Sequence, residues 1–317
     1  MGYTLCVLGC GTMGVAVLSG VVDSLDIPSR FANGNNAEKW ESHTPGTLTP
    51  QPSSPNDATI PSRFLACVSR EQSAVKLRST FSSIGGVLAQ SIEVLVGRNV
   101  EAVGQSDVIL LCCKPQIAHS ILSEPGMKEG LDGKLLISIL AGVTITQLSG
   151  WVLPTTKVIR AMPNTPCKIR EGMTIVSTLP PSPTSELDTS LILKIFSSIG
   201  RCRFLDEKHF DACTALSGSG PAFACIFLEA MADGGVMMGL PRAEALELAS
   251  QTLQGTARMV LQAGQHPAQI RDAVTTPGGC TIAGLLALED GKVRSTIARC
   301  IQIATDRASE LGQPGGK

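Results

Sequence analysis

Two glycine-rich stretches carry the residue types that could hold a small anion. Near the amino terminus, Gly9-x-Gly11-x-x-Gly14 follows the apolar run Thr4–Leu8 and opens a helical pattern through Val15, Val17, Leu18, Val21 and Val22. The chemistry this suggests is pyrophosphate binding. Gly9 permits a tight turn, Gly11 lets a pyrophosphate approach the backbone, and Gly14 allows close helix–strand packing, with the helix amino terminus facing the anion. Near the other end, Thr275-Thr-Pro-Gly-Gly-Cys-Thr281 runs into the helical stretch Ile282–Glu289. Free backbone N–H groups there, with the Thr276 and Thr281 hydroxyls, would form a nest for a carboxylate. No ionisable base lies in that loop. The plainer alternatives are a simple strand–helix turn at Gly9 and a Thr-capped loop between helices at Thr275.

Other polar groups fall where strands should end. Val68-Ser69-Arg70 closes a strand at the place where an NAD site carries an acid for the ribose hydroxyl. An Arg there suits a 2′-phosphate instead, so NADP(H) is expected. Cys112-Cys113-Lys114-Pro115, Leu140-Ala-Gly142 and Met162-Pro-Asn-Thr-Pro166 follow three further strands. Ligands of open α/β sheets bind at that edge. His43, His119, His209 and His266 form no metal pair, and neither H-E-x-x-H nor G-x-S-x-G occurs, so no metal is expected.

The elements that must position these groups alternate. Strand candidates are Thr4–Leu8, Phe64–Val68, Val94–Val96, Val108–Cys112, Leu135–Ile139, Lys157–Ala161, Met173–Ser177 and Cys202–Leu205. Runs such as Val108–Cys113 are apolar throughout, as in strands buried on both faces of a doubly wound parallel sheet. Residues 28–61 break the pattern with six prolines and no periodicity, and read as a mobile surface insertion. From about Glu207 the chain becomes helical. Leu246, Ala249, Leu253, Ala257 and Val260 share one helix face after Pro241, which suits a first turn. Val293, Ile297, Cys300, Ile301, Ala304, Ala308 and Leu311 share another, with Gly312 as the stop. This half is too apolar to stay alone in water. The expected architecture is α/β: a Rossmann-type dinucleotide domain over 1–206, with the insertion at 28–61, and an all-helical substrate-binding and dimerisation domain over 207–317.

Composition excludes several function classes. With 26 basic and 27 acidic residues in 317, there is no basic excess for nucleic acid. Aromatics are 3%, too few for stacking platforms. The 11 cysteines are odd in number, form no C-x-x-C and sit in apolar runs, which reads as free thiols in a reducing cytoplasm. No run of about 18 apolar residues is seen, so no membrane span is expected.

The chain closely resembles the delta-1-pyrroline-5-carboxylate reductase family. The resemblance runs almost end to end outside 28–61. It is carried by Leu8-Gly-Cys-Gly-Thr-Met13, Ser106-Asp-Val-Ile-Leu-Leu-Cys-Cys-Lys-Pro-Gln116, Met162-Pro-Asn-Thr-Pro166 and Ala215-Leu-Ser-Gly-Ser-Gly-Pro221. Glu229-Ala-Met-Ala-Asp-Gly-Gly235 and, most specifically, Asp272-Ala-Val-Thr-Thr-Pro-Gly-Gly-Cys-Thr-Ile-Ala-Gly284 complete it. The resemblance implies NADPH-dependent hydride transfer (NADH being the alternative donor) to the cyclic imine 1-pyrroline-5-carboxylate, giving L-proline in the last step of proline biosynthesis. It implies a homodimer with interleaved helical domains; pentamers of dimers, a decamer, occur in the family. Its dinucleotide contacts fall on Leu8, Gly9, Cys10, Gly11, Thr12, Met13, Ser69, Arg70, Asn99, Cys112, Cys113, Lys114, Pro115, Ile139, Leu140 and Ala141. Its substrate contacts fall on Glu207, Thr276, Gly278, Gly279, Cys280 and Thr281, with the Thr281 hydroxyl serving the ring nitrogen as the catalytic contact. Cys280 stands where the family usually has Ala or Thr, and Gly14 where Ala is common. A reductase of the β-hydroxyacid dehydrogenase type would share the dinucleotide half but needs a base, which the 275–281 loop lacks. An NADP-binding sensor without activity is a further alternative.

Overall fold

The computed structural model describes residues 2–26, 58–84 and 87–311. Most of the expected insertion, and Gly312, lie outside the described residues. The insertion's last residues belong to the fold. Thr59 is buried, the Ile60 carbonyl accepts from the Tyr3 N–H at 3.3 Å, and Pro61 opens a strand. The apolar run understated that strand because Ser62 and Arg63 are exposed; Arg63 instead pairs with Glu93 at 2.7 Å.

All eight expected strands form: β1 Tyr3–Leu8, β2 Pro61–Val68, β3 Glu93–Val96, β4 Val108–Leu111, β5 Leu135–Ser138, β6 Lys157–Met162, β7 Gly172–Ser177 and β8 Gly200–Leu205. They make one sheet ordered β3-β2-β1-β4-β5-β6-β7-β8. The six strands from β3 to β6 are parallel, joined by crossover helices such as Thr12–Asp26, Glu71–Ile84 and Pro115–Leu122. β7 pairs antiparallel to β6, and β8 parallel to β7. The reversal follows from the short β6–β7 link, since a parallel return needs a crossover of about a dozen residues or more. Helix Ser185–Ser197 supplies that crossover between β7 and β8.

Alternation along the strands builds a core on each face. Leu5 and Val7 pack with Val17, Leu18 and Val21 on one side, and Cys6 and Leu8 with Ala118, Leu122 and Leu148 on the other. Covering both faces is what makes uniformly apolar strands stable.

Beyond β8 the chain runs through a 3₁₀ turn Glu207–His209, a helical turn Phe210–Cys213 and a π-turn Thr214–Gly218. Helices Gly220–Met237, Arg242–Ala263, Pro267–Ala273, Cys280–Asp290 and Val293–Leu311 follow. Pro241 is the cap before its helix rather than a residue of the first turn. From Gly220 onward, the buried apolar side chains among the described residues are Ala232, Ala245, Ala249 and Ile270. Leu246, Ile226, Met231, Leu286 and Leu288 stand open. The face predicted at Leu246 and Ala249 is thus half covered by its own chain. Glu207–Met237 is long and apolar enough to cross a bilayer by length and composition alone, although it holds no continuous apolar run of the kind sought in the sequence. Its small residues and few charges keep the average high. A surface of this kind is equally what a second protein chain would cover.

Candidate functional site

The dinucleotide candidates converge on one edge of the sheet. The strand order places β1 beside both β2 and β4, so the connections after β1 and β4 leave toward opposite sides and open a crevice at their carboxyl ends. Gly9 lies there at φ +74°, and a Cβ on it would sit 2.7 Å from the Cys113 Cα. Only glycine fits, because the conformation is left-handed and the β4 exit is already in contact. A Cβ on Gly14 would lie 2.8 Å from Val7 Cγ1, so the helix rides directly on β1. A Cβ on Gly11 would meet nothing closer than the Gly9 carbonyl at 3.9 Å. That leaves an open backbone surface at the start of helix Thr12–Asp26, as a pyrophosphate requires.

Backbone bonds fix the neighbouring strand ends to this turn. Gly9 and Cys10 N–H groups donate to the Cys67 carbonyl at 3.1 and 2.9 Å, and Cys112 N–H to the Leu8 carbonyl at 2.8 Å. Gly97 N–H donates to the Val68 carbonyl at 3.0 Å, and Ile139 N–H to the Leu111 carbonyl at 3.1 Å. Leu8–Met13, Ser69–Arg70, Asn99, Cys112–Pro115 and Ile139–Ala141 are therefore held on one rim. Ser69 and Arg70 are exposed, and among the described residues the Arg70 side chain has no partner. Lys114 is exposed in front of helix Pro115–Leu122. Asn99 Nδ2 donates to Glu124 Oε1 at 2.8 Å. A groove of about 630 Å³ continues from Cys10, Gly11 and Thr12 past Lys76 and Thr80 to Lys168 and Arg170.

The thiols beneath this rim are neutral. Burial pushes Cys10 up to about 12 and Cys113 up to about 11, and Cys112 well above the ordinary thiol value. Cys6 is raised by its contact with Cys67, 3.9 Å away, and by burial. No thiolate charge therefore opposes an incoming phosphate.

The second candidate cluster is built by loop Thr275–Gly279 and helix Cys280–Asp290. Gly278 is left-handed at φ +69°, and the Gly279 N–H donates to the Thr276 carbonyl at 3.0 Å. A Cβ on Gly279 would lie 2.4 Å from Thr276 Oγ1, so the Thr276 side chain folds over the turn. Gly279 is the helix cap and offers no side-chain cap. The N–H groups of Cys280 and Thr281 thus have no acceptor within their own helix. Thr281 is half-buried, and among the described residues its hydroxyl makes no hydrogen bond. Among the described residues, no hydrogen bond or ion pair joins Thr275–Thr281 to the sheet, so one chain does not bring the two clusters together.

Glu207 lies apart from that loop. Its Oε1 accepts from Arg160 Nη1 at 2.8 Å and from the Ile145 N–H at 2.9 Å. Within one chain the fold sets its carboxylate against a buried guanidinium and a helix start rather than beside Thr281. Sequence reasoning passed over Arg160. The signal was available: an arginine inside an apolar strand run must find a partner.

Two family models match the chain. One is described as pyrroline-5-carboxylate reductase dimerisation and covers residues 207–311; the other, NADP oxidoreductase coenzyme F420-dependent, covers 4–142. The pyrroline-5-carboxylate reductase of Schizosaccharomyces pombe is 47% identical over 97% of this chain and 99% of its own length. The chain belongs to the pyrroline-5-carboxylate reductase family. Solved reductases share the fold. That of Coxiella burnetii matches with a TM-score of 0.76 at 26% identity, over 98% of this chain and 99% of that one. The Plasmodium falciparum enzyme, solved with NADP bound, matches with a TM-score of 0.72 at 27% identity, over 98% of each chain.

Proposed function

We propose that this reductase converts 1-pyrroline-5-carboxylate to L-proline with NADPH, the last step of proline biosynthesis. The observation that carries the reading is the Thr276–Thr281 turn, an anion nest ending in a hydroxyl that has no hydrogen bond among the described residues, at a helix start. A cyclic imine bearing a carboxylate asks for that pair of contacts.

The glycine turn and strand-end rim fit a dinucleotide, with Leu8–Met13 at the pyrophosphate. The Arg70 guanidinium, without a partner among the described residues and next to Ser69 in the chain, would meet the 2′-phosphate, which favours NADPH over NADH. Asn99, Cys112–Pro115 and Ile139–Ala141 line the rest of the rim. When bound, NADPH supplies the hydride. Thr276, Gly278 and Cys280 hold the substrate carboxylate through backbone N–H groups and the Thr276 hydroxyl, with Gly279 closing the turn on the Thr276 carbonyl. The Thr281 hydroxyl hydrogen-bonds the ring nitrogen. A protonated imine carbon is already electrophilic, so the protein's main task is orientation, worth ~7–11 kcal/mol. A hydroxyacid dehydrogenase would need a base, and this turn has none.

The open apolar faces after Gly220 support a homodimer. Because no hydrogen bond or ion pair joins the loop to the sheet among the described residues, the substrate site is completed where the loop meets a partner's rim. Domains 1–206 and 207–317 meet where β8 gives way to the turn at Glu207. Five dimers forming a decamer is a further expectation, read by sedimentation. All 11 cysteines are free, in keeping with a reducing cytoplasm.

The test is a comparison of NADPH oxidation with pyrroline-5-carboxylate, NADP⁺ reduction with a 3-hydroxy acid, and a blank. Turnover with the imine alone is expected. Turnover of the hydroxy acid, or of neither, overturns the reading.

A further inference from the structure

The two oxygens of Glu207 have different occupations. Oε1 is spent inside the chain, accepting from Arg160 Nη1 at 2.8 Å and from the Ile145 N–H at 2.9 Å. Oε2 has no hydrogen bond among the described residues, and the side chain keeps 31% of its surface open. The anchor is Arg160. It comes from β6, level with Ser138 at the end of β5, and its side chain is only 7% exposed. Its guanidinium lies over the Phe210 ring, 4.7 Å from the centroid, and Phe210 is itself buried. Glu207 is its one ionic partner among the described residues. The carboxylate therefore stands beside the rim that carries Ile139–Ala141, since Ile145 opens the helix that follows this rim. A buried ion pair is often no more stabilising than apolar residues of the same volume. Stability is thus a poor reason for an arginine here, and the open oxygen of its partner gives a better one.

We propose that Arg160 is a positioning residue for the substrate: it holds Glu207 by one oxygen so that the other faces the positive ring nitrogen of the imine. The proposal rests on the reading above, in which a partner's loop brings the imine to this rim, and on Glu207 being a substrate contact, as the resemblance implies. A protonated imine carries one N–H. The Thr281 hydroxyl accepts it, and Oε2 answers the charge. A glutamate left to itself samples many rotamers, and ordering it as substrate binds costs affinity. Arg160 and the Ile145 N–H settle that order before substrate arrives. Arg160 itself touches neither substrate nor cofactor. The positive charge is present before hydride transfer and is quenched by it. The interaction therefore belongs to bound substrate, and its loss falls on the imine KM rather than on kcat.

The test is a double-mutant cycle in the full-length protein: Arg160→Met, Glu207→Gln, the two together, and Arg160→Lys as the conservative variant. Readouts are imine KM, kcat per folded molecule, and NADPH Kd by fluorescence. Glu207→Gln and Arg160→Met should each raise the imine KM about 10-fold or more, with kcat and NADPH Kd close to wild type. The double variant should be no worse than Glu207→Gln alone, because a residue that acts through Glu207 then has nothing left to position. Arg160→Lys keeps a cation but loses the planar fork, so its KM should fall between wild type and Arg160→Met. Losses that multiply in the double variant would show that Arg160 acts independently of Glu207 and overturn the proposal. So would a wild-type imine KM in Arg160→Met or in Glu207→Gln. Should Arg160→Met fail to fold, the double variant, which strands no charge, decides together with Arg160→Lys. A KM equal to that of Glu207→Gln in the first and a raised KM in the second uphold the proposal, and the failure of either overturns it. Wild-type protein inert toward the imine would refute the functional reading and the proposal with it, whereas the outcomes above strike the proposal alone.

Discussion

Replacing Thr281 by Val tests the assignment of the substrate loop most directly. The two side chains have the same branching, so shape and helix propensity are nearly retained. Gly279, not Thr281, is the cap of helix Cys280–Asp290, and the Thr281 hydroxyl makes no bond within the described chain. The melting temperature should therefore hold. What disappears is one hydroxyl that can donate or accept at the imine nitrogen. A hydrogen bond to a charged group contributes about 1.5–3 kcal/mol, which predicts a fall in kcat/KM of roughly 10- to 150-fold. NADPH affinity should stay at the wild-type value, because the dinucleotide rim is built from other elements. Thr281→Ser, which restores the hydroxyl, should recover most of the loss. The assay is initial-rate NADPH oxidation with pyrroline-5-carboxylate, alongside a fluorescence titration with NADPH. Wild-type turnover in the Val variant would show that the ring nitrogen is held elsewhere. Joint loss of folding and cofactor binding would make Thr281 a structural residue.

Arg70→Ala should raise the NADPH KM about 10-fold or more and leave the NADH KM nearly unchanged, since only the former carries a 2′-phosphate. Equal shifts would mean that the exposed guanidinium is solvated in the complex. Gly9→Ala adds a methyl group 2.7 Å from the Cys113 Cα at φ +74°. Thermal unfolding and NADPH titration should show lowered stability, and lost cofactor affinity if the turn shifts to make room. With Cys10 at about 12 and Cys113 at about 11, both are protonated thiols at neutral pH. Alkylation followed by mass spectrometry should label exposed Cys225 and Cys280 first. Cys10 and Cys113 should react only as pH climbs toward their raised values or the protein unfolds. Rapid labelling of Cys113 at neutral pH would contradict the neutral floor beneath the dinucleotide.

The sheet was legible because burial on both faces leaves an unmistakable mark: Val108–Leu111 and Leu135–Ser138 are apolar or nearly so at every position, and each became a buried strand. The reversed direction of β7 was not legible, since residue types do not record direction; only the shortness of the β6–β7 link constrains it. The helical half showed its pattern but not its partner. Leu246 and Ala249 share one predicted face, yet Leu246 is exposed in the single chain, in a region that matches a dimerisation domain. Glu207 is the instructive case. The resemblance marks this carboxylate as a substrate contact but says nothing of its neighbours within the chain. The fold sets it against Arg160, brought from a distant strand, and a buried guanidinium left alone would be strongly destabilising. Local glycine turns announce themselves because their chemistry lies in the consecutive backbone. An ion pair between residues 47 apart leaves only one trace in the sequence: an arginine where a strand should be apolar.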